Sequence, residues 1–273
     1  MKKLITLLLF LVLALPAVAF AEKPVLMMST TTSTDNTGLL DVLKPAFEAE
    51  TGIELRWTAV GTGKALAMGQ NCDVDVLLVH APGAEKKFVA DGYGVDRTQL
   101  MYNDFVIIGP AADPAKVKGM SVSDALKKIG QSGNIFCSRG DNSGTHKKEL
   151  SLWKESGMAV PEKEAWYVQT GQGMLPTINV ANEKNAYTMT DRGTFIKYEA
   201  SHNGNPPIVI LVEGDGALFN QYSAMAVNPK NCPNAKYDLA KKYIDWMASD
   251  ATQKLIGDFK LMGKQLFTPN AGK

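Results

Sequence analysis

Residues 134–153 read Asn-Ile-Phe-Cys-Ser-Arg-Gly-Asp-Asn-Ser-Gly-Thr-His-Lys-Lys-Glu-Leu-Ser-Leu-Trp. Asn134–Cys137 is a short apolar run suited to a buried strand, and Lys147–Trp153 carries its apolar residues at helical spacing. Between them, Ser138–His146 is small, polar and interrupted by two glycines. A strand that passes through a glycine-bearing turn into a helix is the repeating unit of an α/β protein.

The same succession appears on both sides of this stretch. Pro24–Ser29 reads as a strand, Thr30–Asn36 as a hydroxyl-rich turn, and Leu39, Leu40, Leu43 and Phe47 as one face of a helix that Gly52 ends. Pro45 lies inside that helical pattern and predicts a kink or a break. Ile53–Val60 is the next strand. Gly61-Thr62-Gly63 turns it into a helix beginning at Lys64. Asp75–Val79 is a buried strand, and Glu85–Asp91 a short helix stopped by Gly92. Downstream, a helix begins at Ser123, another follows the turn at Gly171-Gln172-Gly173-Met174, and Asp191–Ala200 is helical after a strand at Tyr187–Thr190. Pro207–Val212 and Tyr222–Val227 read as strands, and Tyr237–Met247 and Ala251–Ile256 as amphipathic helices.

Two of these strands have a topological consequence. Asp104–Gly109 and Tyr222–Val227 flank an α/β insert, so they would form two hinge crossings. The expected organisation is a discontinuous first lobe, residues 22–108 plus 217–273, and an inserted second lobe, residues 109–216. No solenoid-length repeat and no low-complexity linker is present.

Lys2, Lys3 and the apolar run Leu4–Leu15, followed by Ala19-Phe20-Ala21, form a secretory leader pattern with cleavage expected after Ala21. The run is too short for a bilayer span, which needs roughly 20 residues. The chain is therefore expected in the periplasm. Its 29 Lys and Arg against 28 Asp and Glu leave little net charge, which argues against a nucleic-acid partner. Three cysteines entering an oxidising compartment allow one disulfide and one thiol left over. Cys72 and Cys232 fall in the end-built lobe and Cys137 in the insert, so a bridge, if present, is expected between Cys72 and Cys232; three buried free cysteines are the alternative. Neither the cysteines nor the three histidines have zinc-site spacing.

The polar turns share a chemistry. A tetrahedral dianion presents acceptor oxygens only. It is served by free N–H groups at helix starts, by hydroxyl donors and by an arginine fork. Ser29-Thr30-Thr31-Thr32-Ser33-Thr34 places six hydroxyls in a row, more than a helix cap and a polar loop need. In Ser138–His146, Arg139 supplies charge, Ser143 and Thr145 supply hydroxyls, and Gly140 and Gly144 let backbone come close. The competing reading makes Arg139–Asp141 a local ion pair and Ser143 a helix cap. Gly61-Thr62-Gly63 lacks the later residues of a Walker or dinucleotide-binding loop. Ser143 and His146 sit three apart and raise a serine hydrolase as a remote alternative, but no GxSxG elbow and no orienting acid accompany them. An Arg139-Gly140-Asp141 adhesion tripeptide is a chance-level match.

Taken together, Thr30–Ser33, Gly61-Thr62-Gly63-Lys64 and Ser138–His146 resemble the substrate-binding proteins of tungstate ABC transporters, from about Val25 to Pro269. The resemblance implies a two-lobed α/β periplasmic-binding-protein fold of type II topology with the ligand between the lobes. It implies tungstate, or molybdate, as the ligand and a membrane permease as the partner, no enzymatic activity, no cofactor and a monomer. The ligand set it implies comprises Arg139, the threonine loop (Thr30, Thr31, Thr32, Ser33), Thr62 and Gly63, Ser143, Gly144 and Thr145, with Met174 and Thr188 closing from the second lobe. Tungsten would be held through its oxygens, with no direct metal ligands. Asn142 stands where an aspartate is equally expected. Phosphate and sulfate carriers remain the nearest alternatives, because Asp141 is placed to accept the proton of hydrogen phosphate. A donor-only site requires Asp141 to face away from the ligand, paired with Arg139 or with nearby N–H groups.

Overall fold

The computed structural model describes residues 23–272, so the leader expected at residues 1–21 lies outside the described residues. The strands are β1 (Val25–Thr31), β2 (Glu54–Val60), β3 (Val76–Val79), β4 (Gly94–Pro110), β5 (Phe136–Ser138), β6 (Tyr167–Gln169), β7 (Tyr187–Asp191), β8 (Ile208–Val212), β9 (Phe219–Val227), β10 (Lys260–Leu261), β11 (Lys264–Gln265) and β12 (Thr268–Pro269). The helices are α1 (Thr32–Asp35), α2 (Leu39–Thr51), α3 (Thr62–Gln70), α4 (Pro82–Ala90), α5 (Val122–Ser132), α6 (Gly144–Glu155), α7 (Met174–Glu183), α8 (Arg192–Ser201), α9 (Tyr237–Ala248) and α10 (Asp250–Asp258). The order across the main sheet is β2-β1-β3-β9-β4-β7-β5-β6, with β8 and β12 also pairing with β4.

Each half of this sheet is covered on both faces, as buried parallel strands require. Successive side chains of a strand point to opposite faces, and the cores follow that alternation. Val76 and Leu78 of β3 pack with Leu26, Phe47 and Tyr243, while Leu77 and Val79 pack with Leu66 and Phe88. In the second half, Phe136 packs with Trp153 and Leu126, and its neighbour Cys137 packs with Ile178 and Phe195 on the other face. Burying each large apolar side chain contributes about 1.5–3 kcal/mol.

Strand β4 joins the halves. Its first part, Gly94 to Asp104, pairs with β9, whereas Phe105 to Ile108 pairs with β7. The return path runs from β8, which pairs with the distal part of β4, to β9, whose Phe219 lies opposite Asp104. The change of partner therefore falls between Asp104 and Phe105, inside the expected crossing strand Asp104–Gly109, and the return falls between Val212 and Phe219, ahead of the strand expected at Tyr222–Val227 and around the expected boundary at 216/217. Arg192 ties the two passages together, reaching Asp104 at 2.5 and 2.6 Å and Glu213 at 2.8 Å.

Several local expectations change. Helix α2 runs through Pro45, which sits on the exposed face, where the carbonyl it leaves without a donor can meet water. Helix α5 is capped by Ser121, two residues before the expected start. Strand β6 and the proximal part of β4 did not stand out as strands. In β4 the register shifts twice and Asp96 has φ of 53°, so the apolar alternation is broken. Cys72 and Cys232 form a disulfide across 160 residues of sequence, and Cys137 is a buried free thiol pushed up to about 11 by burial.

Candidate functional site

Strand directions place the polar turns. β1 is parallel to β2 and β3 and ends at Thr31, which is paired with Val60. β3 runs toward the crossing, since it is antiparallel to β9 and its pairing moves from Ala226 at Val76 to Ser223 at Val79, in the direction of Phe219. β7 is antiparallel to β4, and its last residue, Asp191, lies opposite Phe105, the first residue beyond the crossing. β5 and β6 are parallel to β7. The carboxyl ends of β1, β2 and β3 and those of β5, β6 and β7 therefore point toward each other across the crossing. This is where ligands meet α/β proteins. Lys197 of α8, donating to the Asn36 carbonyl at 2.7 Å, bridges the two sides there.

On the first side the chain leaves β1 at Thr31, which caps α1 by accepting the Thr34 N–H at 3.1 Å. Thr32 and Ser33 are exposed, and their N–H groups lie outside that cap. Helix α3 begins behind Gly61, which makes no side-chain cap, so Thr62 and Gly63 bring uncapped N–H groups to the same edge. On the second side Ser143 caps α6 by accepting the His146 N–H at 3.3 Å, and Gly144 and Thr145 form the first turn. A Cβ on Gly144 would meet nothing within 4 Å, so its backbone is open to approach. Helix α7 starts behind Gly173, again with no side-chain cap.

Arg139 follows β5 directly. One of its terminal nitrogens donates to Asp141 Oδ2 at 2.5 Å, while its Nε is buried with no protein partner. The other oxygen of Asp141 accepts the Ser143 N–H at 3.1 Å. Partial burial opposes ionisation of Asp141, but the hydrogen bonds from Ser143 and Arg139 outweigh it and hold its carboxyl below the usual range. The carboxylate is thus committed to the loop's own donors. Below the loop, Ser138 Oγ donates to buried Glu149 at 2.6 Å, and Glu149 also accepts from Trp153 Nε1 at 3.0 Å and Tyr167 Oη at 2.6 Å.

A model of the PBP superfamily domain matches residues 18–251. The chain belongs to the PBP superfamily. The tungstate-binding protein TupA of Campylobacter jejuni is 54% identical over 239 residues, 88% of either chain. The solved tungstate-binding protein TupA of Desulfovibrio alaskensis is 75% identical, with a TM-score of 0.90 over 91% of this chain and 99% of that one. A solved tungstate ABC transporter protein from Geobacter sulfurreducens is 51% identical, with a TM-score of 0.73 over 86% of this chain and 98% of that one. Within the superfamily the chain is a member of the family of these tungstate-binding proteins, which are transport proteins rather than enzymes.

Against this PBP framework, the structure separates the expected ligand residues. Arg139, Ser143, Gly144, Thr145, Thr31, Thr32, Ser33, Thr62 and Gly63 all lie at the facing strand ends. Thr30 and Thr188 require correction as hydroxyl donors. Both are fully buried, Thr30 donating to the Leu78 carbonyl at 2.8 Å and Thr188 to the Cys137 carbonyl at 2.7 Å. The side chain of Met174 belongs to the core with Ile178, so only its backbone N–H, at the first position of α7, faces the edge. The hydrolase alternative fails on geometry. Ser143 Oγ is occupied as a cap, and His146 Nδ1 accepts the Asn142 N–H at 3.0 Å.

One cluster went unnoticed in the sequence. His80, immediately after β3, places Nε2 3.0 Å from both Thr31 Oγ1 and Ser33 Oγ. Its Nδ1 is 3.0 Å from Asn220 Oδ1, and Asn220 donates to Asn103 at 2.8 Å. The imidazole stacks on Tyr222 with centroids 4.7 Å apart. Burial lowers the affinity of His80 for a proton, opposed by its bond to Asn220 and by the Asp191 carboxylate. A histidine closing a buried apolar strand, at the end where ligands bind, is the signal that could have found it. Zinc spacing was the wrong test.

Proposed function

We propose that this protein captures tungstate, with molybdate as its near congener, in the periplasm and delivers it to the membrane permease of an ABC importer. The observation that carries the reading is the disposition of Asp141. Its two oxygens are taken by Arg139 and by the Ser143 N–H, so the arginine loop offers donors and no free carboxylate. Tungstate and molybdate are unprotonated dianions near neutral pH and suit such a loop. Hydrogen phosphate would oppose its own proton to a donor, a mismatch of roughly 1–3 kcal/mol. Sulfate, with shorter bonds, would leave donors without a partner. The order of preference is tungstate, molybdate, sulfate, phosphate.

The oxyanion lies between the two sides. Arg139, Ser143, Gly144 and Thr145 approach from one and Thr32, Ser33, Thr62 and Gly63 from the other, and the α7 N–H groups complete the shell. The ligand is held through its oxygens by hydrogen bonds, and no cofactor takes part. The two chain passages act as a hinge between a lobe built on β1–β3 and a lobe built on β5–β7. A 51% identical relative that superposes at a TM-score of only 0.73 fits two bodies able to change their mutual angle. No helix among the described residues is long and apolar enough to cross a membrane. The reading includes a monomer free in the periplasm after cleavage at Ala21.

Native mass spectrometry of the purified protein, with elemental analysis for tungsten and molybdenum, tests the reading. A stoichiometric bound oxyanion of either element is expected. Tight phosphate binding that weakens in Asp141→Asn would move the assignment to a phosphate carrier.

A further inference from the structure

The network behind the threonine loop bears on which way its hydroxyl protons point. Asn220 Nδ2 donates to Asn103 Oδ1, which turns Asn220 Oδ1 toward His80 Nδ1. The proton of a neutral His80 ring therefore sits on Nδ1, and Nε2 is an acceptor. Two hydroxyls lie 3.0 Å from that acceptor, those of Thr31 and Ser33. The shortest contact of Thr31 Oγ1 is to Thr34 Oγ1 at 2.7 Å, and it also accepts the Thr34 N–H. Either hydroxyl of that pair, and either of the Thr31–Ser33 pair at 3.0 Å, can be the donor; with the Thr31 proton directed to Thr34, Ser33 supplies the proton that Nε2 accepts. An exposed Ser33 in this state turns lone pairs, not a proton, toward an anion made of acceptors.

We propose that His80 is a positioning residue that sets the direction of the Ser33 hydroxyl and takes up one proton from solvent when the oxyanion binds. The inference rests on the function proposed above. An imidazolium has N–H on both nitrogens. Nδ1–H continues to donate to Asn220, and Nε2–H now donates to Ser33 Oγ. The Ser33 proton is released to point at an oxygen of the ligand, and the added positive charge faces a dianion. No bond breaks other than the hydrogen bond from Ser33 to the ring.

The surroundings permit both states. Thr31 and Ser33 face the ring from β1 and α1, Asn220 and Tyr222 from β9, and Asn103 from β4. Glu85 at the start of α4 holds the neighbouring Ala81 N–H at 2.6 Å and is ion-paired with Arg97. Asp191 at the end of β7 favours the imidazolium, and burial favours the neutral ring. Burial also pushes the Tyr222 phenol up, so it stays neutral and adds no charge. The free protein therefore holds His80 neutral near neutral pH, and the incoming dianion tips the balance.

Titration with sodium tungstate by calorimetry, from about pH 6 to about pH 8 in buffers of different ionisation enthalpy, counts the protons. The expected uptake approaches one per ligand at the acid end. Affinity then falls by up to about tenfold per pH unit as pH rises through the window between the free and bound proton affinities of His80. In His80→Gln, tungstate still binds, and both the uptake and the pH slope disappear. Absence of uptake in the parent protein, or uptake that persists in His80→Gln, overturns the inference. Should His80→Gln fail to fold, nitrogen-15 NMR of the parent decides. A ring protonated on Nδ1 alone in the free protein and on both nitrogens in the tungstate complex is expected, and a neutral ring in the complex at about pH 6 contradicts it. Saturation by tungstate in either experiment tests the function itself. A protein that binds tungstate without proton uptake keeps its function and loses only this role for His80.

Discussion

The end of β1 and the end of β5 both present donors at a helix start, and they are supported in different ways. At β1 there is no formal charge. Of the six consecutive hydroxyls, Ser29 is spent on a backbone carbonyl of α3, Thr30 on one of β3 and Thr31 on a cap, and Thr34 is buried. Thr32 and Ser33 remain outward, backed by the neutral chain His80–Asn220–Asn103. At β5 the donor is a charged guanidinium held by a carboxylate two residues away, backed by buried Glu149 through Ser138. A neutral edge tolerates the loss of one donor, because hydroxyls are interchangeable and singly weak. A charged edge does not, because removing one partner strands the other.

That contrast orders the expected effects. Arg139→Gln removes the only arginine of the site loops and leaves Asp141 without its cation. Charge-assisted hydrogen bonds contribute about 1.5–3 kcal/mol each, so tungstate affinity falls roughly tenfold to several hundredfold by calorimetry. Arg139→Lys does less harm but loses the fork. Binding of tungstate by Arg139→Gln as tight as that of the parent would erase the distinction between the two ends.

Glu149→Gln sharpens it further. Burial pushes the Glu149 carboxyl up, against its bonds from Ser138, Tyr167 and Trp153. A raised folded value means that the folded chain holds the proton more tightly than the unfolded one. The stability contributed in this way is fully present below the ordinary glutamate range and is lost as pH rises through the folded value. Placing an amide N–H against the three donors destabilises by about 1–3 kcal/mol. It also removes this part of the pH dependence, as denaturant unfolding at several pH values would record. Equal stability of parent and variant across that range would show that Glu149 does not brace the loop.

The smallest effect belongs to the inward hydroxyls. Thr30→Val and Thr188→Val delete donors to carbonyls already inside the sheet, at a cost of about 1 kcal/mol in stability each. Tungstate affinity should stay within about twofold, whereas Ser33→Ala should weaken it more. A large loss of affinity in Thr30→Val or Thr188→Val would mean that these side chains reach the ligand after all.

The two ends also differ in how well the sequence reveals them. Ser138–His146 was legible because glycine, arginine, aspartate and serine each have a narrow use at a strand-to-helix turn. Even the inward pairing of Asp141 followed from the need for a donor-only loop. The threonine loop was legible only as a location. The place where β1 ends decides which hydroxyls face outward, since Ser29, Thr30 and Thr31 are buried in the strand and Thr32 and Ser33 lie beyond it in α1, and a run of like residues conceals that boundary. Thr188 misled for the same reason, since it lies within β7 and not beyond its end. His80 was hidden because its partner Asn220, and Asn103 behind it, are distant in the sequence and come together only through the pairing of β4 with β9. The crossing falls inside the expected strand Asp104–Gly109, whereas the proximal part of β4 was hidden because the polar and apolar residues of Gly94–Asn103 do not alternate cleanly around its bulges.

The most direct test of the account is the position of tungsten itself, located by its anomalous scattering in crystals of the protein grown with sodium tungstate. The account predicts one tungsten between the ends of β1 and β5, with its oxygens within hydrogen-bond distance of Arg139, Ser33 and the first N–H groups of α6, and with Asp141 still turned to Arg139. A tungsten bound away from these groups, or one approached by an Asp141 oxygen, would contradict it.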